Sequence, residues 1–254
     1  MNMNGKIISV HSFRGGTGKS NISANLSYML AQSGKKVCTV DTDIQSPGIH
    51  VLFQLENTSS GATLNDFLWE NCSIDKVALD VSVRLGLPEK SLFFIPCSMN
   101  MGDITRILKQ GYDIATLAKG LNDIRKLLNV DYLIIDTHPG LDEETLLSIS
   151  ISDILLIVLR PDNQDFQGTS VTVEISKRLE VPNTFLVMNR ALGGPSEMDD
   201  MKKKMRDAFD CEAIAILPDC RELAQLGSRA LLSQTAPASD WVSGIRNIKN
   251  RISG

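Results

Sequence analysis

The chain has no apolar run able to cross a bilayer: among its 254 residues the longest, Ile154 to Leu159, has six, against the roughly 18 that a span requires. It also lacks a positive balance. Its 26 basic and 30 acidic side chains give a formal charge of −4, which excludes a generally basic nucleic-acid coat. The deficit is local, because residues 196–254 carry nine charges of each sign. No Cys-x-x-Cys pair occurs among Cys38, Cys72, Cys97, Cys211 and Cys220, and their odd number points to free thiols in a reducing cytosol. The three histidines, His11, His50 and His138, are too scattered in sequence to suggest a metal centre. There is no internal repeat and no low-complexity linker. The softest stretch, Glu56–Gly61, reads as a loop too short to separate domains. Met1–Gly5 is short and polar and does not read as a leader.

What is present is a recurrence of short apolar runs between helical patterns. Strands are expected at Lys6–Val10, Lys36–Thr42, Leu92–Cys97, Tyr132–Asp136, Ile154–Leu159, Thr184–Asn189 and Glu212–Leu217. Most are continuous rather than alternating, as in strands buried on both faces of a parallel sheet. Ile22, Leu26, Met29 and Leu30 fall on one helix face. So do Ile104, Ile107 and Leu108, and later Leu117, Leu121, Ile124 and Leu128. The expectation is one α/β domain over residues 1–254, a doubly wound, mostly parallel sheet of about seven or eight strands flanked by helices.

Directly after the first strand stands Phe13-Arg14-Gly15-Gly16-Thr17-Gly18-Lys19-Ser20, opening into a helix. The usual phosphate-loop pattern asks for glycine where this chain has Phe13. The physics survives that departure. Gly15, Gly16 and Gly18 let the backbone close around phosphates with its N–H groups pointing inward, and the helix N-terminus adds a favourable dipole. Lys19 would bridge the β- and γ-phosphates, and the Ser20 hydroxyl would complete a Mg²⁺ shell.

Arg-Gly-Gly-Thr-Gly-Lys-Ser resembles the deviant Walker A motif of the ParA/MinD superfamily, normally Lys-Gly-Gly-x-Gly-Lys-Ser/Thr. The resemblance implies a P-loop NTPase fold, a bound ATP and a dimer that sandwiches it. In that family the first lysine reaches the partner's nucleotide, and here Arg14 holds its place. Arginine keeps the charge and grips phosphate oxygens bidentately, but it is longer, planar and differently hydrated.

Asp41 and Asp43 close the second strand at i and i+2, a spacing that sends both side chains the same way. With Gln45-Ser-Pro-Gly48 behind them they resemble the family's switch I. The resemblance implies that Asp43 orients the attacking water and that Asp41 supports Lys19 and the Mg²⁺ shell. Asp136, ending Tyr132-Leu-Ile-Ile-Asp136, has the placing of a carboxylate that takes a Mg²⁺-bound water. The metal set is thus Ser20, Asp43 and Asp136, partly through water, and Gly140 resembles the switch II glycine that lets the backbone approach the γ-phosphate. His138, between them, reads as a loop residue. The side chain of Asn189, at the end of the sixth strand, has the donor and acceptor that adenine asks for, and Pro218-Asp219 match the family's base-pocket loop. The guanine-reading Thr/Ser-Lys-x-Asp pattern is missing, which favours ATP.

Two cationic clusters lie near the end of the chain. Lys202, Lys203, Lys204 and Arg206 flank an apolar helix face of Met198, Met201, Met205 and Phe209, so the lysines should face outward. Arg246, Lys249 and Arg251 lie off the face formed by Trp241, Ile245, Ile248 and Ile252. That face is expected to pack on the sheet rather than on a membrane, because the fold needs a last covering helix. Doubled in a dimer, the clusters would make a weak, salt-sensitive, nonspecific contact to DNA phosphates.

The resemblance therefore implies a cytoplasmic, Mg²⁺-dependent ATPase. It would be a homodimer when ATP-bound, hold to the nucleoid in that state, and be released when an adaptor protein stimulates slow hydrolysis. Its relatives position plasmids, chromosomal loci or assemblies such as carboxysomes, and some of the carboxysome group also depart from the signature lysine. The alternative is a membrane-associated regulator of MinD type. An iron–sulfur carrier on the same fold would need a second cysteine near Asp136–Gly140, and none is there.

Overall fold

The computed structural model describes residues 5–55 and 61–254; the predicted loop at Glu56–Gly61 lies, but for Gly61, outside them. Its strands are β1 (Lys6–His11), β2 (Val37–Asp41), β3 (Leu79–Asp80), β4 (Leu92–Ile95), β5 (Tyr132–Asp136), β6 (Ile154–Leu159), β7 (Asn183–Ala191) and β8 (Glu212–Pro218). The helices are α1 (Lys19–Gln32), α2 (Ile49–Leu52), α3 (Leu64–Leu68), α4 (Met101–Gln110), α5 (Ile114–Leu127), α6 (Glu143–Ser150), α7 (Asn163–Arg178), α8 (Pro195–Phe209), α9 (Arg221–Leu226), α10 (Leu232–Thr235) and α11 (Asp240–Ser253).

One eight-stranded sheet runs in the order β3-β4-β2-β5-β1-β6-β7-β8. Every pairing is parallel except that of β3 with β4. The seven predicted strands are all present, with ends shifted by up to two residues. The eighth, β3, has only two residues, too few for any hydrophobic period to register.

The central strands are buried on both sides, and successive residues feed different layers. Ile8 and Val10 of β1, Ile134 of β5 and Leu156 of β6 pack with α1 and α11. On the other face Ile7, Leu133 and Ile135 meet α5, while Leu155, Ile157 and Leu186 meet α7 and α8. The α11 apolar face is wholly spent on the first layer: Trp241, Ile245, Ile248 and Ile252 are buried. Leu108, expected on an α4 core face, is instead exposed while Ile107 points inward. Among the described residues no helix is long and apolar enough to cross a membrane.

Strands β2, β5 and β1 are neighbours at the middle of the sheet. The loops after them therefore emerge side by side at the C-terminal edge, where open α/β sheets bind ligands.

Candidate nucleotide-binding site

The loop after β1 turns through Gly16 (φ 75°) and Gly18 (φ 95°) into α1, in backbone that a side chain rarely adopts. At Gly18 a Cβ would also stand 2.4 Å from Asn189 Nδ2. No side chain caps α1, and its first turn holds no acid. Its leading N–H groups are thus left for an anion. Lys19 is buried, and its Nζ donates to Ser12 Oγ at 3.1 Å. Burial lowers its pKa, opposed by Asp136, Asp43 and Asp41.

Asp41 and Asp136 stand in register on adjacent strands. Asp41 binds the loop that follows it. Its carboxylate accepts from the N–H groups of Asp43 (3.1 Å), Gly48 (3.0 Å) and Ile49 (3.2 Å). Burial and the neighbouring Asp136 outweigh these bonds and push it up to about 8. Burial likewise pushes Asp136 up to about 6, against the hydroxyls of Ser20 and Ser23 and the charge of Lys19; Ser23 Oγ donates to it at 2.8 Å. Asp43 is less buried and accepts from Ser46 N–H at 3.0 Å. Burial raises it too, opposed by His138, the Ser46 N–H and Lys19.

This is a site with more negative charge than its one buried lysine balances, which suits a divalent cation. Among the described residues no three His, Cys, Asp or Glu side chains form a ligand cage. A Mg²⁺ here would lean on the Ser20 hydroxyl, on carboxylates through water, and on phosphate oxygens, the arrangement this ion prefers. The glycine-lined loop and the unclaimed α1 N-terminus fit a polyphosphate for the same local reasons.

Beside Gly18 lies a cavity of about 370 Å³ lined by Asn21, Asn189, Pro218, Asp219 and Trp241. The residues expected to meet a base are therefore together, next to the phosphate loop. Asn189 is already engaged twice: Nδ2 donates to the Thr17 carbonyl (2.8 Å) and Oδ1 accepts from Trp241 Nε1 (3.1 Å). Asp219 N–H closes the pocket wall by donating to Ala191 O at 2.9 Å.

Gly140 and Arg14 are differently disposed. Gly140 (φ 100°) donates its N–H to Ser12 O at 3.3 Å, so the loop expected to act as switch II rests on the phosphate loop. Arg14 bends back onto the start of α7 in its own chain. Its Nη1 donates to Gln164 Oε1 and lies 3.8 Å from both Asp162 and Asp165. His138 is part-buried, with Nδ1 3.6 Å from Asp142.

The cationic clusters are not one surface. Lys203, Lys204 and Arg206 are exposed on α8, while Arg246, Lys249 and Arg251 ride on α11, and the two helices cover opposite faces of the sheet beside β8. Arg251 is committed to Glu212, at 2.8 and 3.0 Å, and stacks over Phe185.

Two partners were not legible beforehand. Glu144, in the first turn of α6, accepts from the Tyr112 hydroxyl. Burial, with the charge of Asp142, brings it up to about 7 against the Tyr112 hydroxyl, which favours the ionised form. In sequence it reads as an ordinary helix-start acid. Trp241 carried the signal of a core residue and none of its bond to Asn189.

The AAA domain family model matches residues 5–187 of the chain. An uncharacterised ATP-binding protein of Methanocaldococcus jannaschii is 28% identical over 250 residues, covering 97% of this chain and 87% of its own. Among solved structures, septum site-determining protein MinD of Pyrococcus horikoshii, complexed with Mg-ADP, superposes with TM-score 0.80 at 18% identity, covering 97% and 95% of the two chains. McdA of Cyanothece in an ATP complex does so with TM-score 0.78 at 20% identity, covering 98% and 97%.

Proposed function

The chain belongs to the AAA domain family and, within it, to the ParA/MinD superfamily of P-loop ATPases, and from that membership we propose that it is a dimerising ATP switch that positions a cargo. The whole of residues 1–254 serves as one ATPase domain. ATP with Mg²⁺ occupies the loop 15–20, Asn189, Pro218 and Asp219 receive the base, and two protomers close face to face. The observation that carries this reading is the convergence of the phosphate loop, Asp43 and Asp136 at the ends of three adjacent strands.

Each residue then has a task. Lys19 neutralises phosphate charge where it is most needed, in a site that burial has made responsive to charge. Asp43, the least buried of the three acids, is placed to hold and polarise a water. Asp41 fixes the loop that carries Asp43. Ser20 and Asp136 hold the cation, which when bound shields the phosphates. Closing the dimer asks Arg14 to leave Gln164 for the partner's nucleotide, and Gly140 to turn its N–H from Ser12 toward phosphate.

Nonspecific DNA is the surface on which the ATP-bound dimer resides, making it nucleoid-associated in the cytoplasm. The exposed Lys203, Lys204 and Arg206 of α8 support this reading, with Lys202 at their margin and Arg246 and Lys249 as a separate contribution from α11. Arg251 is the weakest member because Glu212 neutralises it. An adaptor protein stimulates hydrolysis and chooses the cargo, an assembly such as a carboxysome among the candidates. The membrane alternative loses its main support, since the α11 apolar face is buried in the core.

Sizing by light scattering with ATP and Mg²⁺, paired with DNA binding at low salt, tests the proposal. Wild type should dimerise and bind DNA, Asp43→Ala should accumulate as a stable ATP dimer, and Lys19→Ala should do neither. A protein that stays monomeric with ATP and Mg²⁺ and ignores DNA sinks it, as does rapid hydrolysis by Asp43→Ala.

A further inference from the structure

The base-reading side chain, Asn189, is itself held by the last helix. Its amide is 2% exposed and has two fixed neighbours. The indole N–H of Trp241 can only donate, and the Thr17 carbonyl can only accept. Trp241 Nε1 lies 3.1 Å from Oδ1 and Thr17 O lies 2.8 Å from Nδ2. Both neighbours therefore demand the same orientation of the amide, and a 180° flip would set N–H against N–H and oxygen against oxygen.

The approach that makes this possible is built into α11. One turn after Trp241 stands Gly244, where a Cβ would meet Leu217 of β8 at 2.2 Å. The helix lies that close only because the residue is glycine, and the closeness brings Trp241, 1% exposed, to the end of β7. Trp241 and Asn189 both line the 370 Å³ cavity beside Gly18.

Counting bonds gives the consequence. An amide has two N–H donors and an oxygen with two lone pairs. With Thr17 and Trp241 served, Asn189 has one donor and one acceptor left, in a fixed order. The adenine edge offers an amino donor beside a ring-nitrogen acceptor, and so completes that pair. The corresponding Watson–Crick edge of guanine offers a carbonyl oxygen beside a ring N–H, the same two roles in the reverse order. It would set its oxygen against Oδ1 unless the amide turned over.

We propose that Trp241 is a positioning residue that makes this site select adenine over guanine, by locking the Asn189 amide against the flip that guanine would need. The inference rests on the nucleotide site proposed above and adds a determinant from a helix remote in sequence.

The test is titration calorimetry of the full chain with ADP, GDP and inorganic tripolyphosphate, each with Mg²⁺; diphosphates keep dimerisation out of the readout. Trp241→Phe keeps the ring's bulk and removes the N–H. It should narrow the ADP-to-GDP affinity ratio by about tenfold, the worth of one buried hydrogen bond and the clash it enforces, while tripolyphosphate affinity stays unchanged. A merely structural tryptophan would weaken all three ligands alike. If Trp241→Phe keeps the wild-type ratio while Asn189→Ala collapses it, the lock is overturned and the base site stands. If Asn189→Ala also keeps the ratio, the base site itself is overturned, and the lock with it. A measurement on the wild type covers the case of a poorly folding variant. The Trp241 indole N–H resonance should move on adding ADP and stay in place with tripolyphosphate, and an indole signal indifferent to ADP contradicts the proposal.

Discussion

Asp41 and Asp136 stand level with each other on β2 and β5, two buried acids with Lys19 as the nearest buried cation. Their division of labour follows from their partners. Asp41 spends its oxygens on three backbone N–H groups and so shapes the loop bearing Asp43. Asp136 faces the hydroxyls of Ser20 and Ser23 at the start of α1. Side-by-side carboxylates of this kind are costly in the empty protein and favourable once a cation arrives.

That cost predicts a trade of stability against function at Asp136. Asparagine still accepts from Ser23 and brings no charge. Asp136→Asn should therefore raise the melting temperature of the nucleotide-free protein, by about 2–4 °C for each kcal/mol of the burial penalty on the charged form that is relieved. It should also remove the extra stabilisation that Mg²⁺ adds to ADP. Thermal scans with ADP, with and without Mg²⁺, check both halves. A variant less stable than wild type when empty would show that Asp136 is a net structural asset.

His11 gives the molecule an acid-side liability. It is fully buried at the end of β1, and its Nδ1 lies 2.8 Å from Thr137 Oγ1. That hydroxyl donates to Val10 O at 3.2 Å, so it accepts from an Nδ1–H, which assigns the neutral tautomer. Burial first, then Lys19 and His138, bring its pKa from 6.5 down to about 3. A depressed histidine contributes stability that is fully present above pH 6.5 and is lost as pH falls toward 3. The loss approaches about 1.4 kcal/mol per pH unit within that window. His11→Asn should flatten the decline in denaturation midpoint between pH 6.5 and 4 while leaving the profile above pH 7 unchanged. Parallel profiles for the two proteins would rule His11 out as the source.

The parts of this site that the sequence announces are those where backbone chemistry and motif coincide. Gly15-Gly16-Thr17-Gly18-Lys19-Ser20 between a strand and a helix can be read without coordinates, because the loop needs those residue types in that order. Asp41 and Asp136 were visible as acids closing apolar runs. Tertiary partners leave no such trace. Nothing near Arg14 in sequence points to Gln164, 150 residues on, and nothing near Trp241 points to Asn189. The two cationic clusters are close in sequence, yet a sheet separates the helices that carry them. The two-residue strand β3 and the short helices lie below the length at which periodicity speaks.

The α11 helix yields a sharper expectation than its amphipathic pattern did. Ile248 is 0% exposed and packs in the layer with α1. Ile248→Asp would bury an unpaired carboxylate there, and should cost about 3–5 kcal/mol, enough to lower the melting temperature by roughly 10 °C or more. Asn247, exposed on the opposite face, should accept the same aspartate within about 0.5 kcal/mol. Chemical denaturation of the two variants checks the contrast. Equal, small effects would mean that the isoleucine face is not held in the core.

On the proposed reading nucleotide-driven dimerisation turns on Arg14, and within its own chain that residue is restrained. Gln164 takes its Nη1, and Asp162 and Asp165 lie within ion-pair reach. Asp165 is chiefly Arg160's partner, through the Arg160 backbone N–H and Nε at 2.9 and 3.1 Å, and Asp162 caps α7. Gln164, exposed and without a capping task, is thus the contact that can be removed cleanly. In an Asp43→Ala background, expected to hold hydrolysis back, Gln164→Ala should lower the protein concentration at which the ATP dimer forms by about three- to fivefold, the scale of one exposed charge-assisted bond. Arg14→Ala should abolish the dimer with or without Gln164. Arg14→Lys should retain part of it, since the charge survives while the bidentate grip is lost. Sedimentation velocity across a dilution series with ATP and Mg²⁺ reads the parent and all four variants. A Gln164→Ala variant that dimerises less readily than its parent would place Gln164 on the productive side of the interface, not among the restraints on Arg14.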